Sequence, residues 1–208
     1  MEICPNCIEI QDVSITQEQR QEIRNKYGIP LNMKVFVYGG NLGKPQGIPF
    51  FIDCLKTQVN VKEAFFLIVG GGTEFFQLQH FMDEYHPENM KLLPKLPKED
   101  YEKMVSACDV GMIFLDHRFT IPNFPSRILS YMQAGLPVLA VTDPNTDIGR
   151  TIENAGFGWW SESNDIAAFI KTIDQICTSN ISQVGKKGFE FLNHHYTVDR
   201  GYNIIIGH

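Results

Sequence analysis

No apolar run in this 208-residue chain reaches the roughly 20 residues needed to cross a bilayer, and no secretory signal pattern opens it. Long basic runs are missing as well, and the formal net charge is -6. That balance excludes a surface built on neutralising the phosphates of a nucleic acid, so no nucleic-acid partner is expected. Cysteine is sparse: Cys4, Cys7, Cys54, Cys108 and Cys177 are odd in number and scattered in or beside apolar segments. They are expected to be reduced core thiols rather than a disulfide framework. The CPNC pair, Cys4 and Cys7, has metal-like spacing, yet no second pair follows and no histidine lies nearby, so no metal site is expected. Repeats and low-complexity segments are absent. What remains, at 43% hydrophobic residues, is enough for one well-buried core. A soluble, intracellular, cytoplasmic protein is the expectation.

The apolar residues come in short continuous runs separated by helical patterns. KVFVYGG (34–40), AFFLIVGGG (64–72), MKLLP, VGMIFL (110–115) and VLAVT (138–142) read as strands. Helices are expected from about 48 to 59, 73 to 85 and 98 to 107, and over the segment that begins at Pro125. Such alternation predicts an α/β fold, a doubly wound parallel sheet of Rossmann-like type covered on both faces. Before the first strand, Ser14 to Gln17 reads as a capping box for a helix ending at Gly28. One more helix, a short aromatic strand at Trp159-Trp160 and two or three helices complete the chain.

In open sheets of this kind the ligand lies beyond the carboxyl ends of the strands. Three loops there carry suitable chemistry. GGNLGKPQG (39–47) lets the backbone approach a ligand and offer N–H groups to an anion through Gly39 and Gly40; Lys44 adds a charge, and Asn41 and Gln46 add neutral donors. An ordinary flexible turn is the plainer alternative. VGGGTEF (69–75) invites a dinucleotide reading, but after Gly70 and Gly72 the third glycine of the fingerprint falls on Phe75. These glycines read as a tight turn, and no cofactor is expected. In DHRFTIPNFPSR, Pro122 and Pro125 fix the backbone, and Pro125 and Ser126 start a helix whose first N–H groups have no partner within the helix. With Arg127 they suit an anion, while Ile128, Leu129 and Met132 read as the buried face of the same helix.

Taken in order, these segments resemble the nucleotide-sugar-binding domain of retaining GT-B glycosyltransferases, family 4, over nearly the whole chain. CPNCIEI resembles the family's linker into this domain, GGNLGKPQG its phosphate-proximal glycine loop, and PSRILSYMQAGLPVLA its proline-started helix and strand. MKLLPKLPKEDYEKMVSACDVGMIFL is similar to its strand, base-binding turn, helix and Asp-containing strand. The resemblance implies the C-terminal half of a GT-B architecture, with 1–13 a linker remnant, 14–181 the nucleotide-sugar-binding domain, and 182–208 helices packing towards an N-terminal acceptor domain. On that face Tyr202, Ile204, Ile205 and Ile206 are expected to be partly exposed. It implies a donor, a nucleotide-diphosphate sugar, bound by Gly39, Gly40, Asn41, Lys44, Gln46, Lys95, Leu96, Phe119, Thr120, Asn123, Phe124, Pro125, Ser126, Arg127 and Ser130. It also implies a glycan or lipid-linked acceptor held by the other domain, a role in cell-surface polysaccharide such as capsule, and peripheral membrane association of the full-length enzyme.

The chain departs from the family where two glutamates are common, at positions occupied here by Pro122 and Ser130. Lys44, Arg118 and Arg127 are the basic residues available to compensate. No Asp-x-Asp motif occurs, which agrees with metal-independent transfer. No residue is assigned a catalytic role. Two other readings stay open: a sugar-nucleotide epimerase using His117, Asp116 and Asp143 as acid/base groups, and a non-catalytic nucleotide-sugar sensor. His194-His195 reads as a surface or packing pair.

Overall fold

The computed structural model describes residues 5–118 and 124–207. Cys4, Phe119, Thr120, Pro122 and Asn123, all singled out above, lie outside the described residues. The described residues form one six-stranded sheet between two layers of helices. The strands are β1 (Lys34–Asn41), β2 (Ala64–Gly71), β3 (Met90–Leu93), β4 (Val110–Phe114), β5 (Val138–Thr142) and β6 (Gly158–Glu162), in the order β3-β2-β1-β4-β5-β6, with every pairing parallel. The expected doubly wound α/β fold is therefore present.

The strands are apolar along their length because both faces are covered. Alternation along β1 sends Val35 and Val37 to one core and Phe36 and Tyr38 to the other. The first core packs against α4 (Lys98–Ser106), α5 (Arg127–Gln133), α6 (Ile148–Ala155) and α8 (Ile181–His195). The second packs against α2 (Ile48–Gln58), α3 (Phe75–Tyr85) and α7 (Ile166–Thr178), with Phe51 stacked on Phe114 at 4.1 Å. Among the described residues no helix is long and apolar enough to cross a membrane.

The amino-terminal helix α1 (Gln17–Tyr27) starts two residues later than Ser14 suggests. Its capping box is Thr16 with Gln19: the Thr16 hydroxyl accepts from the Gln19 amide at 3.2 Å, and the Gln19 side chain accepts from the Thr16 amide at 2.8 Å. The Ser14 amide instead donates to Asp12 Oδ1 at 2.9 Å, in a turn that precedes the helix. The helix ends at Gly28 in the left-handed region (φ 62°), as expected.

The far end of the chain folds back on its beginning. The Ile8 amide donates to the Tyr196 carbonyl at 2.8 Å, and Ile8 forms a bridge with Thr197. The last helix, α9 (Val198–Ile206), leaves Val198, Tyr202, Ile205 and Ile206 exposed along one side, with Ile204 half-buried. Cys54 and Cys108 are buried and Cys177 is half-buried, all three as free thiols, and Cys7 is half-buried. The His195 ring packs on Phe191 at 4.3 Å. Trp159 and Trp160 lie half-buried in the edge strand β6, where Trp160 Nε1 donates to the Thr142 hydroxyl at 3.0 Å.

Candidate donor-binding site

The site follows from where two strands part. β1 and β4 pair only from Phe36–Val110 to Tyr38–Met112, although β1 continues to Asn41 and β4 to Phe114. The connections leave in opposite directions here, so a crevice opens at the carboxyl end. The Tyr131 hydroxyl sits at the fork: it accepts from the Gly39 amide at 3.2 Å and lies 3.3 Å from the carbonyls of Val37 and Met112, to which it can donate. Burial raises that phenol well above its ordinary range, so it stays protonated.

A cavity of about 770 Å³ opens above the fork. Its walls are the ends of β1 and β2, the β3–α4 turn, the start of α4, the start of α5 and the segment at Cys7-Ile8. Of the residues expected at the site, Gly39, Gly40, Asn41, Lys95, Leu96, Ser126, Arg127 and Ser130 line it together. Four others stand apart. Lys44 is exposed in a short 3-10 turn, and its side chain is not part of the wall. Gln46 is buried and its Oε1 accepts from the Gly43 amide at 3.1 Å, so it shapes the glycine loop from within. Phe124 packs on Tyr196 with ring centroids 5.3 Å apart, and Pro125 is buried at the head of α5. Phe119, Thr120 and Asn123 lie outside the described residues.

Sequence reasoning did not find Tyr38 or Tyr101. Tyr101 reaches from α4 and presses on Gly39, where an added Cβ would meet its hydroxyl at 1.9 Å. That hydroxyl is buried, and burial pushes its pKa up to about 12. The signal available beforehand was a single aromatic residue on an otherwise polar helix start, which does not say what it faces.

Arg127 is the positive pole of the wall. Its guanidinium lies over the Tyr38 ring, 4.7 Å from the centroid, and passes beside Gly40, where an added Cβ would sit 3.3 Å from Cζ. Gly40 has φ 128°, a backbone region that side-chain-bearing residues rarely enter. Among the described residues no carboxylate pairs with Arg127, and its Nη1 is buried without a hydrogen-bond partner. Lys98 is near Glu102 at 3.8 Å, which leaves Lys95 and Arg127 as the uncompensated charges of the cavity. An anion of two charges suits this wall, in a protein whose net charge is negative.

The other basic candidate is occupied. Arg118 donates to Asp116 at 2.9 and 2.8 Å, and this holds the carboxyl down at about 2. His117 is exposed beside it, and Asp143 is fully buried, its Oδ1 accepting from the amides of Asn145 and Thr146. None of Asp116, His117 and Asp143 lines the cavity. Among the described residues no group of three or more His, Cys, Asp or Glu side chains is placed to hold a metal ion.

Residues 19–187 match the family described as glycosyl transferases group 1. The chain belongs to that family. It is 29% identical over 164 residues to a Pseudomonas aeruginosa protein named "Probable glycosyltransferase WbjE", a match that covers 79% of this chain and 41% of that protein. The crystal structure of Anabaena HepE in complex with UDP and glucose superposes on 99% of this chain and 56% of its own, with a TM-score of 0.79 at 17% identity. The C-terminal domain of the glycosyl transferase group 1 protein LpcC from Francisella tularensis matches 92% of this chain and 99% of its own, with a TM-score of 0.70 at 13% identity. At such identities the two structures establish the fold alone: a Rossmann-like sheet of the GT-B type. The group 1 chain described here spans about two fifths of the curated relative's length.

Proposed function

We propose that these residues form the donor-binding half of a retaining, family 4 glycosyltransferase, taking a sugar from a nucleotide-diphosphate sugar to a glycan or lipid-linked acceptor. The observation that carries the reading is Arg127: a cation without a carboxylate, set in the wall of a cavity at the switch point of the sheet. Such a charge is costly unless a ligand supplies the anion. A diphosphate answers that need, with Arg127 and Lys95 facing it and the backbone of Gly39 and Gly40 close beside it.

In transfer, the bond between the sugar's anomeric carbon and the diphosphate oxygen breaks, and negative charge grows on the departing diphosphate. Arg127 and Lys95 stabilise that charge where it develops, an electrostatic task suited to a half-buried site. No divalent ion is required in this scheme. Retention of anomeric configuration and a role in cell-surface polysaccharide synthesis belong to the same proposal, as does a cytoplasmic enzyme working at the inner face of a membrane. Segment 1–13 serves as the linker, 14–181 as the donor domain and 182–208 as the packing helices. The acceptor is held by a preceding domain, which the exposed stripe of α9 would face.

Titration calorimetry with UDP, GDP and ADP and their sugars, with and without a chelator, tests the donor site. One of them should bind, and chelation should leave its affinity unchanged; complete loss on chelation would remove the metal-free part. The residues described here should not transfer sugar alone, because transfer needs donor and acceptor held together. Product analysis with the full-length protein then separates transfer from the sensor alternative, which the absence of a carboxylate at Ser130 keeps in view.

A further inference from the structure

Arg127 is not a loose side chain waiting over a cavity. Its guanidinium occupies a slot with the Tyr38 ring beneath it at 4.7 Å and the Gly40 backbone at its side. Tyr38 in turn is fully buried and cannot swing away. Phe51 packs on it at 5.2 Å and Phe114 at 6.4 Å. Its hydroxyl donates to the Asn41 carbonyl at 2.7 Å, which ties the same ring to the end of the glycine loop. One residue of β1 therefore touches both Arg127 and the Asn41 backbone in the cavity wall.

We propose that Tyr38 is a positioning residue for the donor diphosphate, fixing the Arg127 guanidinium by stacking beneath it and holding the Asn41 end of the glycine loop in register with it. The inference rests on the donor-site reading above. The ring face carries partial negative charge, so it attracts the cation without neutralising it as a carboxylate would. The guanidinium keeps its full charge for the ligand, and its rotamers are already restricted before the ligand arrives. A preorganised cation loses less freedom on binding than a mobile one.

The effect must appear in binding to phosphate, not merely in folding. The probe is the tightest of UDP, GDP and ADP, measured against its own nucleoside, so that the ratio of the two affinities reports the phosphate contacts. Tyr38→Phe keeps the ring but loses the hydrogen bond to the Asn41 carbonyl, so it should lower the ratio about two- to threefold, less than loss of the ring face does. Tyr38→Leu removes the ring face and should lower the ratio about five- to tenfold, with nucleoside affinity unchanged. Should Tyr38→Leu fail to fold, phenylalanine with a ring fluorinated to weaken its quadrupole, compared with plain phenylalanine at position 38, should lower the ratio about threefold at nearly constant shape. A ratio that stays at the parent value in the leucine or fluorinated protein, or a loss shared equally by nucleotide and nucleoside, would reduce Tyr38 to a core side chain and overturn the inference. If the parent itself binds no nucleoside diphosphate better than its nucleoside, the donor-site reading fails and this inference with it. A parent that discriminates while the Tyr38 variants do not differ from it leaves the donor site standing and removes only the role of Tyr38.

Discussion

Two arginines are sunk into opposite ends of the same sheet, and their surroundings differ in kind. Arg24, at the amino-terminal end, is 4% exposed and has an acceptor for each part of its guanidinium. Nε donates to the Ala107 carbonyl at 2.9 Å, Nη1 to the Pro30 carbonyl at 3.1 Å, and Nη2 to Asp109 Oδ2 at 2.7 Å. Asp109 also accepts from the Val35 amide at 2.7 Å and from Arg20, so α1 is locked to β1 through one carboxylate. Arg127, at the carboxyl-terminal end, has a ring under it and, among the described residues, no carboxylate partner. A satisfied buried charge specifies the fold, whereas an unsatisfied one marks where the fold awaits something else. The contrast separates the structural pole of this domain from its binding pole.

The sharpest way to break the contrast is at Asp109. Asp109→Ala leaves Arg24 buried without its counter-charge and the Val35 amide without its acceptor, an error of about 3–5 kcal/mol. A melting temperature lower by about 6–20 °C is expected in a thermal scan. Nucleotide binding, measured well below that temperature, should be retained. Arg127→Ala should do the reverse. Loss of a charge-assisted hydrogen bond worth about 1.5–3 kcal/mol weakens nucleoside-diphosphate binding on the order of ten- to a hundredfold in calorimetry. Nucleoside affinity and the melting temperature should change little, and a variant that binds the diphosphate as tightly as the parent would place the anion elsewhere.

A finer comparison lies at the end of one strand, β2. A Cβ at Gly70 would meet the Gly40 carbonyl oxygen at 2.0 Å, whereas one at Gly71 would meet nothing within 4 Å. Gly70→Ala should cost about 1–3 kcal/mol in denaturant unfolding, by displacing backbone at the cavity floor. Gly71→Ala should be neutral or slightly stabilising. The smallest effect concerns Asp116, held at about 2 rather than 3.8 chiefly by the hydrogen bond from Arg118. A depressed carboxyl contributes stability that is whole above its ordinary value and is lost as pH falls through the lowered one. Because Arg118 is solvent-exposed, that contribution is screened and small. Arg118→Ala should melt slightly below the parent at pH 5, and the difference should shrink as pH falls through about 2 and vanish below it.

The sheet was legible in the sequence because a strand buried on both faces must be a short apolar run, and β5 lies where VLAVT predicts it. Helix ends were less legible. Thr16 and Ser14 carry the same hydroxyl, and the choice between them is made by Asp12, which draws Ser14 into a turn. Glycine spacing and the proline-started helix pointed to the carboxyl end of the sheet, where the cavity opens. They did not reveal that Gln46 turns inward, since an amide suits a ligand and a loop backbone equally well. Nor could Tyr38, a strand residue with an unremarkable apolar setting, be tied to an arginine 89 positions away; that pairing exists only once β1 and α5 meet.

The bridge at Ile8 has a mechanical consequence. A load on the amino-terminal segment passes through the hydrogen bond from the Ile8 amide to the Tyr196 carbonyl, beside the lip that Cys7 and Ile8 form over the cavity. The β1–β2 ladder resists in shear, many bonds at once, but this contact peels one bond at a time. One such bond is worth about 1 kcal/mol, not far above thermal energy. The lip is thus a soft spring clamped to a stiff plate, and a tug on this segment should change the mouth of the cavity before it strains the sheet.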